Sequence, residues 1–413
     1  MRFSSSSPAL PRATPGLRFL RCLIAALVIP WQITATASPL TAEAASPTNT
    51  KSFSHPGLLN SKAELDFIKE KIQAKAEPWQ TMFQRLKHSP FGNPAWSPKA
   101  RRAIDANSKE ASQANDDATA AYTLALLWYF TGDEAYAKKS AGILNAWAST
   151  LETITSRDQQ KELVAAWCGS VFPQAGEILR SSDPKWTKPE IQQFSRMLRQ
   201  VFLPVLQPGN ASFNGNWELA MVNALMAIGV FCDDKPTFDR AVALWRQRVP
   251  AWLYLKKDGP LPRPPDGVPG LASEAELRKY WFNPPGFSNG LCQETCRDFG
   301  HHFQQGLASA INSAETAWHQ GLDLYAGQEK RLTAALEFHA GLLLGEPLPA
   351  GSLPAGYQAS GLQPTWEIAW HHFHGRRHLP LPLTERLLRT KVRPMDFSST
   401  LNMAWESLTH AGP

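Results

Sequence analysis

The chain has 413 residues, of which 43% are hydrophobic and 19% charged, with a formal net charge of +6. That length and apolar content suffice for one large core or two domains. Arg2, Arg12, Arg18 and Arg21 all fall in residues 1–37, which hold no acid, so the rest carries only about +2 and net charge gives no case for nucleic acid as a partner.

The elements follow in chain order. Residues 1–37 read as an export signal: a basic start, the apolar run CLIAALVIPW and the small-residue site Ala35-Thr36-Ala37. The run is short for a membrane span, and nothing later approaches that length. Residues 38–56, rich in Ser, Thr, Pro and Ala, read as a linker. From there the periodicity is helical almost throughout. An Asn60-Ser61 cap opens a first pair of helices separated by Pro78. A second pair turns at Thr131-Gly132-Asp133, and a third at Cys232-Asp233-Asp234. A fourth, less regular pair spans 310–345. These hairpins share no fixed repeat, so an all-α toroid of helical hairpins, an incomplete α/α barrel over residues 57–395, fits better than a solenoid. Residues 396–413 are set apart as a C-terminal tail. Residues 255–289, with seven prolines, break the pattern as a long loop of the kind that forms a cleft wall or lid.

Four cysteines remain past the signal, Cys168, Cys232, Cys292 and Cys296. The last two are four apart, a poor spacing for a bridge on one helix, and free thiols are the expectation. The Cys and His spacing matches no zinc motif, and no metal or cofactor is expected.

Three polar clusters stand out. In QETCRDFGHHFQQG (293–306), helical spacing puts Arg297 and His301 on one face, with His302 and Gln304 close by. A guanidinium and an imidazole after a Pro-rich loop suit a carboxylate-holding site, although buried polar pairs also serve structure. In NGNWELAM (214–221), Asn214 reads first as an ordinary helix cap. Asn216 can instead donate to an anion while Trp217 stacks on a sugar ring. In PTWEIAWHHFHGRRH (364–378), Gly375 and Pro380 argue against one regular helix and against a metal site. Cleft-lining loop histidines are expected there, with His372 and Trp366 toward substrate.

These segments, together with HPGLLNSKAELDFIKEKI and the RD-x-GH and QGLDLY stretches, resemble the alginate lyase superfamily, and in particular enzymes similar to polysaccharide lyase family 38. The resemblance covers residues 55 to about 395. It implies an α/α toroid that cuts uronate polymers such as alginate or glucuronan by β-elimination. Asn216, Arg297 and His301 fall on the family's polar cleft positions, and His372 on the histidine of its C-terminal W-E-x-x-x-x-H segment. Related family 5 lyases carry a histidine directly after the motif asparagine, where this chain has Trp217.

Elimination explains such residues. The C5 proton of a uronate becomes removable only when the neighbouring carboxylate is neutralised, a task for Asn216 and Arg297. In mannuronate and glucuronate that proton and the C4 oxygen share one face, so a single group can act as base and then acid. A tyrosine suits the role. Tyr280, in the Pro-rich loop, is the first candidate, with Tyr254 and Tyr357 in reserve; Tyr122, Tyr129 and Tyr136 are expected in the core. Two other readings remain open: a toroid glycoside hydrolase using a carboxylate pair from Glu218, Glu294, Asp298 and Glu367, or a non-catalytic periplasmic glycan-binding protein.

Overall fold

The computed structural model describes residues 52–213, 215–297, 301–357, 359, 361–393 and 405–412. The first hairpin is α1 (Lys62–Gln73) and α2 (Trp79–His88), α1 opening with a reciprocal Ser61/Glu64 capping box. After the short strand β1 (Ala103–Asp105) come α3 (Lys109–Thr131) and α4 (Glu134–Thr150). Gly132 closes α3 at φ 73°, a left-handed position that a Cβ would disfavour, and Asp133 caps α4 by accepting from the Ala135 N–H. Strand β2 (Thr153–Thr155) pairs in parallel with β1, Ile104 opposite Ile154.

Next are α5 (Gln160–Ser182), α6 (Lys188–Met197), the short α7 (Leu203–Leu206), α8 (Asn216–Phe231) and α9 (Lys235–Trp252). Asp234 caps α9 through the Thr237 N–H. Then come α10 (Glu274–Tyr280), α11 (His301–His319), α12 (Glu329–Leu344), α13 (Glu367–Trp370), α14 (Pro382–Leu387) and α15 (Glu406–Thr409). Helices α3, α5, α8 and α11 lie side by side in that order, with α4, α6 and α9 outside them. The inner helices are buried on nearly every side: α8 is buried along its whole length except Trp217. The outer α9 buries one stripe, Phe238, Ala241, Val242, Trp245 and Val249, together with Thr237 at its start and Arg248, Ala251 and Trp252 toward its end. α13 and α15 connect α11 back to α1. This is the all-α toroid expected from the hairpin pattern. Among the described residues no helix is long and apolar enough to cross a membrane.

The structure departs from the sequence reading in four places. The loop at 255–289 contains α10, which forms because Ser273 and Glu276 cap each other. The segment 293–297 is a turn, and α11 begins at His301, so Arg297 and His301 do not share a helix face as the spacing suggested. Residues 371–376 continue α13 as a widened turn rather than a loop; the Arg377 N–H reaches five residues back to the His372 carbonyl, and Gly375 fits within it. Finally, residues 52–56 and 405–412 are tied to the body. His55 meets Glu177 and Asp233 at 2.9 and 3.0 Å, and Trp405 donates to Thr123 on α3. Residues 1–37 and most of the linker lie outside the described residues.

Candidate active site

Three segments meet at one end of the inner helices around a cleft of about 440 Å³. The start of α8 supplies Asn216 and Trp217, α10 supplies Tyr280, and the turn before α11 supplies Glu294 and Arg297. Trp217 is aimed by Glu162 of α5, which accepts from its indole N–H at 2.8 Å and from the Asn210 amide at 2.6 Å. The indole stacks on Phe213 at 4.9 Å, leaving an apolar platform at the cleft mouth. Tyr280 is held by its hydroxyl, which donates to the Ala211 carbonyl at 3.1 Å, and Gln293 Nε2 grips the Tyr280 backbone carbonyl at 2.8 Å.

Arg297 is about a third exposed and lies 5.6 Å over the Phe282 ring. Its Nη1 is 3.4 Å from Glu294 Oε1, and Glu294 Oε2 accepts the Asn216 backbone N–H at 2.9 Å. Burial pushes the Glu294 carboxyl up to about 7, against the opposing pull of the Asn216 N–H and Arg297. Asn216 is buried, its Nδ2 donating to Gln305 Oε1 at 3.3 Å while its Oδ1 has no partner among the described residues. Gln305 Nε2 in turn lies 3.2 Å from His301 Nε2, so Gln305 links His301 to Asn216. Burial and the Arg297 charge hold the His301 imidazole below its ordinary value and His302 down to about 4, so both are neutral near pH 7.

Three residues expected at the substrate sit elsewhere. Gln304 is fully buried; its Nε2 donates to the Gly361 carbonyl and its Oε1 accepts from the Gln363 N–H, which fixes a loop. Trp366 is fully buried beside it. His372 is buried with its ring stacked 3.6 Å from Tyr325, and burial holds it down to about 4. A polar or aromatic residue in a motif is here part of the interior. Asn214 and Asp298 lie outside the described residues. The reserve tyrosines do not line the cleft: Tyr254 donates to the Gly259 carbonyl and Tyr357 to the Thr295 carbonyl.

The other carboxylates are committed to structure. Glu218 pairs with Arg248, Glu367 accepts from Arg393 and Ser407, and Glu276, the other acid that lines the cleft, accepts from the Ser273 hydroxyl in the cap of α10. The described cysteines are free thiols, Cys296 alone being partly exposed. Glu64, Glu315 and His319 come close enough to resemble a metal cluster. Arg376 already bridges both carboxylates at 2.7 Å, and the two imidazole nitrogens of His319 engage Glu64 and the Leu58 carbonyl. The group is therefore a buried ion network, with both imidazole nitrogens engaged.

The alginate lyase family model matches residues 61–263, a stretch that includes Asn216 and Trp217 and ends before Tyr280 and Arg297. Among solved structures, the chain is similar to alginate lyase A1-III from Sphingomonas species A1, with a TM-score of 0.57 and 16% identity, over 87% of this chain and 100% of that one. A variant of alginate lyase A1-III in complex with a tetrasaccharide gives a TM-score of 0.58 at 15% identity, covering 89% and 99%. An alginate lyase from Bacteroides ovatus gives 0.50 at 15%, covering 86% and 99%. At these identities the structural likeness speaks for the fold alone. No curated protein matches the chain in sequence. The toroid and the family match together make this chain a polysaccharide lyase. The family match and the fold both point to the alginate lyase superfamily.

Proposed function

We propose that the protein is exported by its N-terminal signal and cleaves a uronate polysaccharide, mannuronate-rich alginate or glucuronan, by syn β-elimination. The convergence of Asn216, Arg297 and Tyr280 from three separate segments on one cleft carries this reading. Arg297 and the Asn216 amide take the uronate carboxylate and offset the charge that develops when C5 loses its proton. Tyr280 removes that proton and returns one to the C4 oxygen as the glycosidic bond breaks, leaving a 4,5-unsaturated end. Lys279 and Arg297 line the same cleft and supply the sign of charge a phenolate needs. Trp217 and Phe213 offer a stacking face to the sugar.

Trp217 also bears on stereochemistry. Guluronate needs a base on the face opposite its C4 oxygen, and an indole cannot accept that proton. His301 is separated from the cleft by Gln305, which supports the same preference. Purified protein given polymannuronate, glucuronan, polyguluronate and hyaluronan separately should raise ultraviolet absorbance fastest on the first two. Equal initial rates on polyguluronate would show that a histidine does serve the opposite face.

A further inference from the structure

Glu294 is a buried carboxyl of the cleft whose chemistry the elimination leaves unused. Its side chain is 2% exposed yet lies at the cleft lining. The cage around it is tight. Gly215 sits at φ 80°, and a Cβ there would come within 2.6 Å of Glu294 Oε2 and 2.7 Å of Trp252 Nε1. Only a glycine lets the backbone close over the carboxyl and deliver the Asn216 N–H to it. One oxygen thus fixes the start of α8, and the other faces the guanidinium that is proposed to hold the substrate carboxylate.

We propose that Glu294 is the positioning residue of this cleft, aiming Arg297 and the start of α8, and that it takes up one proton from solvent when a uronate carboxylate docks on Arg297. The inference rests on the lyase reading of the cleft. Two carboxylates sharing one guanidinium in a dry site cannot both stay ionised, and the more buried of them takes the proton. The other groups facing the site do not supply the change near neutral pH. His301 and His302 are already neutral there. Glu276 lies on α10 at the cleft edge, and Glu218 is bound to Arg248. The Cys292 thiol stays protonated because burial pushes it up. Protonated Glu294 still accepts the Asn216 N–H through its carbonyl oxygen, and its hydroxyl is free to donate toward the incoming carboxylate.

The sign follows. Below about pH 7 Glu294 already carries its proton, so uronate binding is pH-independent; above it the proton must be captured, and affinity falls by up to about tenfold per pH unit. The test is calorimetry of a saturated mannuronate or glucuronate trisaccharide at pH 7.5 in phosphate and in Tris, alongside KM against pH on the polymer. Wild type should take up a substantial fraction of a proton, and KM should rise above pH 7. Glu294→Gln, which keeps the shape and the Asn216 contact, should bind without proton uptake and show a flat KM profile. Glu294→Asp should restore a titrating KM. Proton-neutral binding by wild type, or unchanged uptake in Glu294→Gln, overturns the proposal while leaving the lyase reading intact. If Glu294→Gln does not fold, the wild-type calorimetry alone decides. Failure of wild type to bind or cleave any uronate polymer removes the lyase reading and this inference with it.

Discussion

Among the described residues Arg297 makes one long ion pair, at 3.4 Å, lies over an aromatic ring and lines the cleft. Arg297→Ala should therefore lower kcat/KM by at least ~100-fold, the scale of losing one preorganised donor, with little change in melting temperature; steady-state rates and a thermal melt check both. Tyr280→Phe keeps the ring, the Gln293 contact to its carbonyl and the packing of α10, and removes only the hydroxyl. Turnover should nearly vanish while trisaccharide binding persists, and a fully active variant would reassign the acid/base. At this scale the sequence was half legible. Asn216, Trp217, Tyr280 and Arg297 are readable because their types match a carboxylate-neutralising, proton-moving task. Gln304, Trp366 and His372 are not, since whether a polar residue meets water or a loop backbone is settled by packing. Glu294 is readable as an acid but not as the partner of Arg297 and Asn216, because its cage comes from Gly215 and Trp252, distant in the chain.

Hairpin turns were legible because their signals are local. Gly132 with Asp133, and Asp234, do in the structure what turn and cap residues do in any helix pair. The start of α11 was not, since helical spacing from 293 onward continues across a stretch that turns instead. Helix α10 was missed for the opposite reason: seven residues flanked by prolines fall below any periodicity window, and only the Ser273/Glu276 pair marks it. That pair matters because α10 carries Tyr280. Ser273→Ala should remove about 1 kcal/mol of capping, enough to raise the rate of proteolytic nicking within 255–289 about fivefold. The same change should reduce kcat/KM more than it shifts the global melt. Uniform protease resistance would mean that α10 is held by its packing on Trp281 and Tyr254 rather than by its cap.

The whole molecule is fastened along a seam where its N-terminal residues meet α5, α11 and the C-terminal pieces. In one network His319 touches Glu64 at 2.8 Å and Glu315 at 3.8 Å, with Arg376 across both carboxylates. Burial alone would lower the His319 value, but the Glu64 hydrogen bond and the Glu315 charge outweigh it and raise it. A raised imidazole adds stability that is complete below its unfolded value near 6.5 and is lost as pH climbs through the folded value. The stability advantage of wild type over His319→Gln should be largest near pH 6, about 3 kcal/mol, and shrink toward pH 9; denaturant melts across that range measure it. A constant gap would assign His319 to packing alone. The seam also joins residues very far apart in the chain. Asn60 donates to the Thr409 carbonyl and His410 Nε2 meets the Leu59 carbonyl at 2.9 Å, separations of 349 and 351 residues. Closing a loop of that length costs roughly 5 kcal/mol of chain entropy, only slightly more than a loop a third as long. Time is the stricter constraint. A chain delivered N-terminus first, from a ribosome or through a pore, presents Asn60 long before Thr409 exists to receive it. The ring's first edge must wait unpartnered until its last residues arrive, which keeps the polypeptide threadable for almost the whole of its delivery and makes completion of the fold an event of the C-terminus.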